Sequence, residues 1–542
     1  MNPIIIRTLK KHGVAFTLLV IFTIISTALI TGNTYLEGRL LDSLVYSHRP
    51  TLFITFFVLM LGIGILRLFF SFFTSHIQIL TKQETVLELN RKIFFELFKK
   101  DTLSILKWSP TTLSSRINDD VTEIVSFFSD TLVKLCSVIV STITISAYVF
   151  SADPKIFIIM IIFIPIYFLI YIVFRPKIYS INLTMKNKQN EYYTTRNDFV
   201  GRYIEIKGSG NFSSEKKRLR TVEDGLLKTF VKSFWVRYWM STSQIVMQLV
   251  FQAVFFIVGG LAVLRGNITI GFFSIVLQYF GQLLNSVDQI FGIAIGTEKY
   301  HASLTRMKRI FDIAADKNGD RPISSVRAID INNFNIKMFS KSKKDSKMFY
   351  SQDLSCSFEN PGLYVISGDN GIGKSTFVRT ITRIYQPKLR GSVLINGLDV
   401  NKIDMDALRQ KEMGFLFQDV PSPHITVREY LSDLERNGFL NDLKESSPFL
   451  NVYFSDVFNL ADIYEKKVDV LSSGELQLVR LLAALGKKDA SMYILDEPTA
   501  NIYPQIRSAV ICLLQELGKS KLIITISHDE HLIGLGKSIV ME

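Results

Sequence analysis

Long apolar stretches fill the first three hundred positions, and mixed polar sequence fills the rest. Six stretches, 14–31, 51–73, 131–150, 156–174, 240–264 and 272–296, reach about the 20 helical residues that a hydrocarbon core demands. The connections between them alternate in length. Those at 151–155 and 265–271 are short and nearly uncharged, whereas 75–130 and 175–239 are long, and the latter holds 14 Lys/Arg against 6 Asp/Glu. The positive-inside rule therefore puts the long connections and both termini in the cytoplasm. "LNRKIFFELFKK" and "KTFVKSFWVRYW" keep apolar residues at three- and four-residue spacing, so these connections are expected to prolong the membrane helices rather than to loop. Arg7, Lys10 and Lys11 precede the first span as in a signal peptide, but five more spans follow, so the first is read as retained.

Polar groups inside the spans are costly unless satisfied. Gln244, Gln248 and Gln252 share one helical face, and Gln278, Gln282, Asn285 and Gln289 share another. Two readings stand: hydrogen-bonded glue between helices, or the lining of a wet substrate cavity. Arg67 and Asp288 each lie about 24 Å below the outer ends of their helices. An ion pair or shared aqueous site is one reading of that equal depth, and snorkelling to the inner interface is the other.

At 542 residues the chain is long enough for separate membrane and soluble cores. A formal charge of +13 would suit nucleic acid, but the basic residues sit mainly between apolar runs, which is better explained by membrane orientation, so no nucleic-acid partner is expected. Cys136, Cys356 and Cys512 are too scattered for a disulfide framework or zinc site.

From about Ala315 the chain turns polar in "ADKNGDRPISS", a linker composition. A strand-like "GLYVIS" then leads into "GDNGIGKST", made of Gly368, Asp369, Asn370, Gly371, Ile372, Gly373, Lys374, Ser375 and Thr376, and on into a helical "FVRTITRIY". Strand, glycine loop and helix in that order make a phosphate cradle. Lys374 would reach the β- and γ-phosphates and Ser375 would hold Mg²⁺. "MYILDEPTA" supplies a buried strand ending in Asp496, a further Mg²⁺ carboxylate, followed by Glu497, placed to polarise an attacking water. "LIITIS" is a second buried strand with His528 at its end, suited to the γ-phosphate, and Gln418 in "GFLFQDV" suits the metal and water.

Together with "LSSGE" at 471–475, these residues resemble an ABC transporter nucleotide-binding domain, in the order Walker A, Q-loop, signature, Walker B, H-loop. "LSSRINDDVTEI" and "RGNITIGFF" resemble segments of the six-helix exporter (type IV) membrane domain. The resemblance implies an all-α six-helix transmembrane domain with long cytoplasmic extensions (1–312), a linker (313–328) and an α/β P-loop nucleotide-binding domain with a helical subdomain (329–542). It also implies a half-transporter of the cytoplasmic membrane, with ATP and Mg²⁺ as cofactors, working as a dimer. Ser472 and Gly474 would serve the partner's nucleotide, and an aromatic, Phe339 or Tyr350, would stack on adenine. The expected activity is ATP-driven export of an amphipathic or peptide-like substrate. One half of a heterodimer, a lipid flippase and a siderophore importer are the alternatives. No peptidase segment precedes the first span, so leader processing by this chain is not expected.

The family's pattern is broken at Ser473 and Glu475, where Gly and Gln are usual, and at Tyr503, where Asp is usual. "YEKKVDV" replaces the stretch usual before the signature. Glu475 suits a helix N-terminus, but its charge is expected to face the γ-phosphate of the partner's ATP.

Overall fold

The computed structural model describes residues 3–47, 49–339, 346–418, 420–436, 447–487 and 489–541. They form two compact units. The first contains residues 3–94 and 111–311 and the second contains 95–110 and 312–541 among those described. The short segment 95–110 lies between the second and third spans in sequence, yet its backbone belongs with the second unit. There the Asp101 amide donates to the Ala314 carbonyl and the Asp316 amide to the Lys99 carbonyl, both at 2.9 Å.

The membrane unit is six long helices, Gly13–Asp42, Pro50–Leu97, Pro110–Ala152, Pro154–Gly201, Phe212–Leu264 and Ile270–Phe311. The 53 residues of the fifth extend about 80 Å, far beyond a hydrocarbon core of about 30 Å, which is how the long connections become helical extensions. Outside, the breaks are abrupt. Asp153 accepts the Lys155 amide at 2.8 Å and Pro154 occupies the first turn, where a missing N–H costs nothing. The fourth and fifth helices pair along much of their length, and the sixth closes on them through Tyr167, Phe251, Phe255, Phe280 and Phe291. At the cytoplasmic end, Arg306 forks onto Asp120, which is 3% exposed.

The soluble unit has two sheets. One is antiparallel, with β1 (Ala328–Phe339) between β5 (Leu389–Ile395) and the short β2 (Ser346–Met348), β6 (Leu398–Asp399) on β5, and β3 (Leu354–Glu359) also on β1. The other is parallel, in the order β10 (Lys537–Met541), β4 (Gly362–Gly368), β9 (Leu522–Ile526), β8 (Met492–Asp496), β7 (Met413–Leu416). Every residue of β8 and β9 is buried, as continuous apolar runs in a parallel sheet covered on both faces must be. The helix Lys374–Ile381 packs between the sheets through Phe377, Val378 and Ile381. A second core gathers around the helix Ser473–Leu485.

Candidate functional site

Parallel register aligns the carboxyl ends of three strands: Ile366 of β4 and Asp496 of β8 both pair with Ile526 of β9. Loops leaving that edge of an open α/β sheet are where ligands bind. From β4 the chain passes through Gly368, Gly371 and Gly373, with φ of 144°, 83° and 101°, a backbone closed to most side chains. It then enters the helix Lys374–Ile381, whose N-terminal amides favour an anion. Lys374 is 8% exposed. Its ammonium donates to the carbonyls of Gly368 (2.7 Å) and Asp369 (3.0 Å) and lies 3.2 Å from His528 Nε2.

Asp496 ends β8 with 4% exposure. Glu497 follows with φ 55°, a strained conformation for a non-glycine residue, secured by its amide donating to the Ile526 carbonyl at 2.9 Å. His528 Nε2 lies 3.8 Å from Glu497 Oε1. Burial lifts the Glu497 carboxyl above its usual range; His528 opposes the shift, Asp496 reinforces it and Lys374 opposes it. A cation, a carboxylate of raised proton affinity and an imidazole thus converge beside a phosphate-type loop. Ser375, Gln418 and Asp496 add hydroxyl, amide and carboxylate oxygens of the kind a hard divalent cation takes. The donor set therefore suits a nucleoside triphosphate with Mg²⁺.

The signature segment corrects the expectation for Glu475. Ser472 caps the helix Ser473–Leu485: its hydroxyl accepts the Glu475 amide at 3.3 Å, and Glu475 Oε2 accepts the Ser472 amide at 2.8 Å. The carboxylate is folded back on its own helix, with Lys466 Nζ 3.7 Å from Oε1. Burial works to raise its pKa, but hydrogen bonds from Ser472 and the charge of Lys466 outweigh it, and the carboxyl sits below its usual range. The Ser-x-x-Glu spacing of a capping box was the sequence signal for this arrangement. Gly474 is buried, and a Cβ there would sit 2.8 Å from the Asn501 carbonyl oxygen and 3.5 Å from the Tyr503 ring. Gln477 Nε2 donates to the Glu497 carbonyl at 2.8 Å, a tie that motif spacing did not single out. Ser473 is exposed.

Of the two aromatics considered for adenine, the side chain of Phe339 lies outside the described residues. Tyr350 is 3% exposed and donates its hydroxyl to the Gly373 carbonyl at 3.0 Å, so it holds the loop from beneath and offers no stacking face. Phe349, half-buried, packs against Gly373 instead. Gln418 is exposed just beyond β7.

In the membrane unit the polar faces divide. Asp288 accepts the Tyr167 hydroxyl on both oxygens at 3.0 Å and the Gln244 amide at 3.1 Å, joining the fourth, fifth and sixth helices. The proposed Arg67–Asp288 pair is not formed: Arg67 is exposed on the second helix and meets no carboxylate among the described residues. Equal depth says nothing about which way a helix is turned. Gln282 donates to Thr34 Oγ1 at 2.9 Å, which is helix glue. Gln248, Gln252, Gln278 and Gln289 are half-buried and Asn285 is exposed.

Residues 16–287 match the ABC transporter transmembrane region, and residues 351–500 match the ABC transporter domain. The chain belongs to the ABC transporter family. It is similar to the ATP-dependent lipid A-core flippase of Syntrophus aciditrophicus, with 22% identity over 97% of this chain and 87% of that protein. It is also similar to the subtilin transport ATP-binding protein SpaT of Bacillus subtilis, with 21% identity over 97% of this chain and 86% of that protein. Its fold is that of a bacterial Atm1-family ABC exporter solved with ATP bound, at a TM-score of 0.79 and 16% identity, covering 98% of this chain and 94% of that one. This ABC transporter is thus a multi-pass membrane protein with a fused cytoplasmic ATPase.

Proposed function

We propose that two copies of this chain form an exporter in the cytoplasmic membrane that moves an amphipathic, peptide-like substrate at the expense of Mg²⁺-ATP. The convergence of Lys374, Glu497 and His528 at one sheet edge carries the ATPase half of this reading. Lys374 would exchange its carbonyl partners for the β- and γ-phosphate oxygens, which make stronger, charge-assisted bonds. Glu497 would take the proton of the attacking water or orient it, and His528 would contact the γ-phosphate. Mg²⁺, held by Ser375, Gln418 and Asp496, would neutralise charge developing on the transferred phosphoryl group. Ser472 and Gly474 would complete the partner's site, so that closure on two nucleotides drives the membrane helices between inward- and outward-facing states.

The peptide-like cargo is supported by the subtilin transporter among the relatives and by the amides of Gln248, Gln252 and Gln278, which match backbone hydrogen-bonding groups. A lipid cargo is the second reading, favoured by the flippases among the relatives. Purified chain reconstituted in lipid is expected to hydrolyse ATP, to lose turnover in Glu497→Gln, and to be stimulated by an amphipathic peptide. No Glu497-dependent turnover from the chain alone would rule out the homodimer and favour a second, different half-transporter as partner. Stimulation by lipid A-type lipid and not by peptide would select the second reading.

A further inference from the structure

A cavity of about 350 Å³ lies between the fourth, fifth and sixth helices of the membrane unit, lined by Ile178, Asn182, Arg237, Met240, Ser241, Gln244, Ile295 and Lys299. Its depth follows from three independent counts along the helices. Asn182 is 28 residues from Pro154, Arg237 is 27 from Leu264, and Lys299 is 29 from Ile270, which at the α-helical rise gives about 42, 40 and 44 Å below the outer ends. A bilayer measures about 30 Å across its hydrocarbon and about 40–45 Å with its headgroups. All three polar groups therefore sit at the headgroup level of the cytoplasmic leaflet. Gln244, 20 residues from Leu264, lies about 30 Å down on the same scale, within the hydrocarbon of the cytoplasmic leaflet. The apolar lining of Met240, Ile178 and Ile295 lies between Gln244 and the three polar groups, at the inner edge of the hydrocarbon.

The charges point the same way. Arg237 donates to the amide oxygen of Asn182 at 2.9 Å, and among the described residues neither Arg237 nor Lys299 meets a carboxylate. Of the two acids nearby, Glu298 is engaged by Arg175 at 2.6 Å, and Asp288, behind Gln244, accepts from Tyr167 and Gln244. Trp235, Tyr238 and Trp239 are 50%, 46% and 55% exposed on the same stretch of the fifth helix, the amphipathic aromatic belt of a membrane interface.

We infer that this cavity is a binding site for an anionic phospholipid of the cytoplasmic leaflet, its phosphate between Arg237 and Lys299 and its acyl chain along Met240 toward Gln244. Two uncompensated cations over an apolar floor select a negatively charged amphiphile against a zwitterionic one, and the apolar floor selects a lipid against free phosphate. The site lies apart from the ATPase residues but shares Gln244 with the face that could line a cargo cavity, so lipid retention is read separately from ATP hydrolysis and does not by itself decide the cargo.

The test counts lipid retained by the full-length chain from nanodiscs of phosphatidylcholine containing phosphatidylglycerol, by native mass spectrometry. Phosphatidylglycerol is expected to be retained preferentially. The Arg237→Gln, Lys299→Gln double variant is expected to bind it about thirtyfold more weakly, the loss that two basic residues at an anionic surface carry. The charge-keeping Arg237→Lys, Lys299→Arg variant is expected to retain it, which separates lost charge from lost folding. Met240→Trp, which fills the cavity without touching charge, is expected to release it as well. Equal retention of phosphatidylcholine, full retention by the double Gln variant, or retention unaffected by Met240→Trp would each overturn the site. Displacement by inorganic phosphate at millimolar concentration would overturn the lipid assignment. Glu497-dependent ATP hydrolysis, measured on the same nanodiscs, reports the transporter reading independently.

Discussion

Glu475→Gln replaces a carboxylate by the amide usual at this place in the family, and it distinguishes two pictures of the signature. If the carboxylate faced the partner's γ-phosphate at about 5 Å, repulsion at an effective dielectric of about 20 would be about 3 kcal/mol per unit charge. Removing it would then raise turnover by about two orders of magnitude. The structure instead commits Glu475 Oε2 to the Ser472 amide at 2.8 Å. Gln can make that bond equally well, so what the substitution removes is a pairing with Lys466 at 3.7 Å, half of it exposed to solvent, worth about 0–0.5 kcal/mol.

Mg²⁺-ATPase turnover of Glu475→Gln is therefore expected to stay within about threefold of the parent. Glu475→Ala, which deletes half the capping box, is expected to cost about 1 kcal/mol of stability, read as faster thermal inactivation. The pH dependence has a definite sign. Because the folded pKa of Glu475 lies below its ordinary value of 4.5, its contribution is present above pH 4.5 and is lost as pH falls through the folded value. The gap between Glu475→Ala and the parent should accordingly close in strong acid. A turnover gain of tenfold or more in Glu475→Gln would refute the reasoning and return the charge to the nucleotide.

Gly474→Ala places a Cβ 2.8 Å from the Asn501 carbonyl and must displace backbone, a misfit of about 1–3 kcal/mol; an ATPase rate unchanged from the parent would show that the loop yields freely. Arg306→Ala leaves Asp120 buried without its fork, and a stability loss of about 3 kcal/mol is expected at the lower end for broken buried pairs, checked by thermal inactivation in lipid. A loss too small to measure would mean that water replaces the guanidinium. If Glu497 acts as the base, it must be ionised, and burial raises its pKa in the nucleotide-free protein; the acid limb of the kcat/KM–pH profile is then expected above the ordinary carboxylate range, and a limb at pH 4 or below would remove Glu497 from that role.

What could be read from sequence was local chemistry. Gly368–Thr376, Asp496, Glu497 and His528 each sit at the end of an apolar run long enough to be only a buried strand, and parallel pairing brings those ends together. The spans followed from length and charge alone. Rotation about a helix axis did not, because spacing within one helix carries no information about its neighbour. Gln282 and Gln244 have the same amide on similar faces, yet one meets Thr34 and the other meets Asp288. Arg67 and Asp288 share a depth and not a direction. Tyr350 was the alternative to Phe339 for adenine under the family resemblance, and its burial under Gly373 comes with Asn335 of β1 holding its backbone at both the amide and the carbonyl. That Glu475 suits a helix N-terminus was legible in the letters, but the return of its carboxylate to the Ser472 amide was not drawn from them.

The departures from the family's pattern are neighbours in space. Tyr503 lies against Gly474, between Ser473 and Glu475 in the chain, and the Asn501 carbonyl closes the other side of Gly474. One helical turn on, Gln477 holds the Glu497 carbonyl. The helix proposed to touch the partner's nucleotide is therefore fastened at two points to the loop that follows this chain's own Glu497. A rigid shift of that helix by about 1 Å would stretch a 2.8 Å hydrogen bond beyond the usual range, so the backbone of Glu497 must move with it. Coupling of that kind would run equally in both directions: if the signature holds the partner's nucleotide as proposed, that nucleotide would position Glu497, and nucleotide at Glu497 would position the signature. A tyrosine ring packed on Gly474 maintains this tie by contact, so the altered letters describe one joint and not scattered damage.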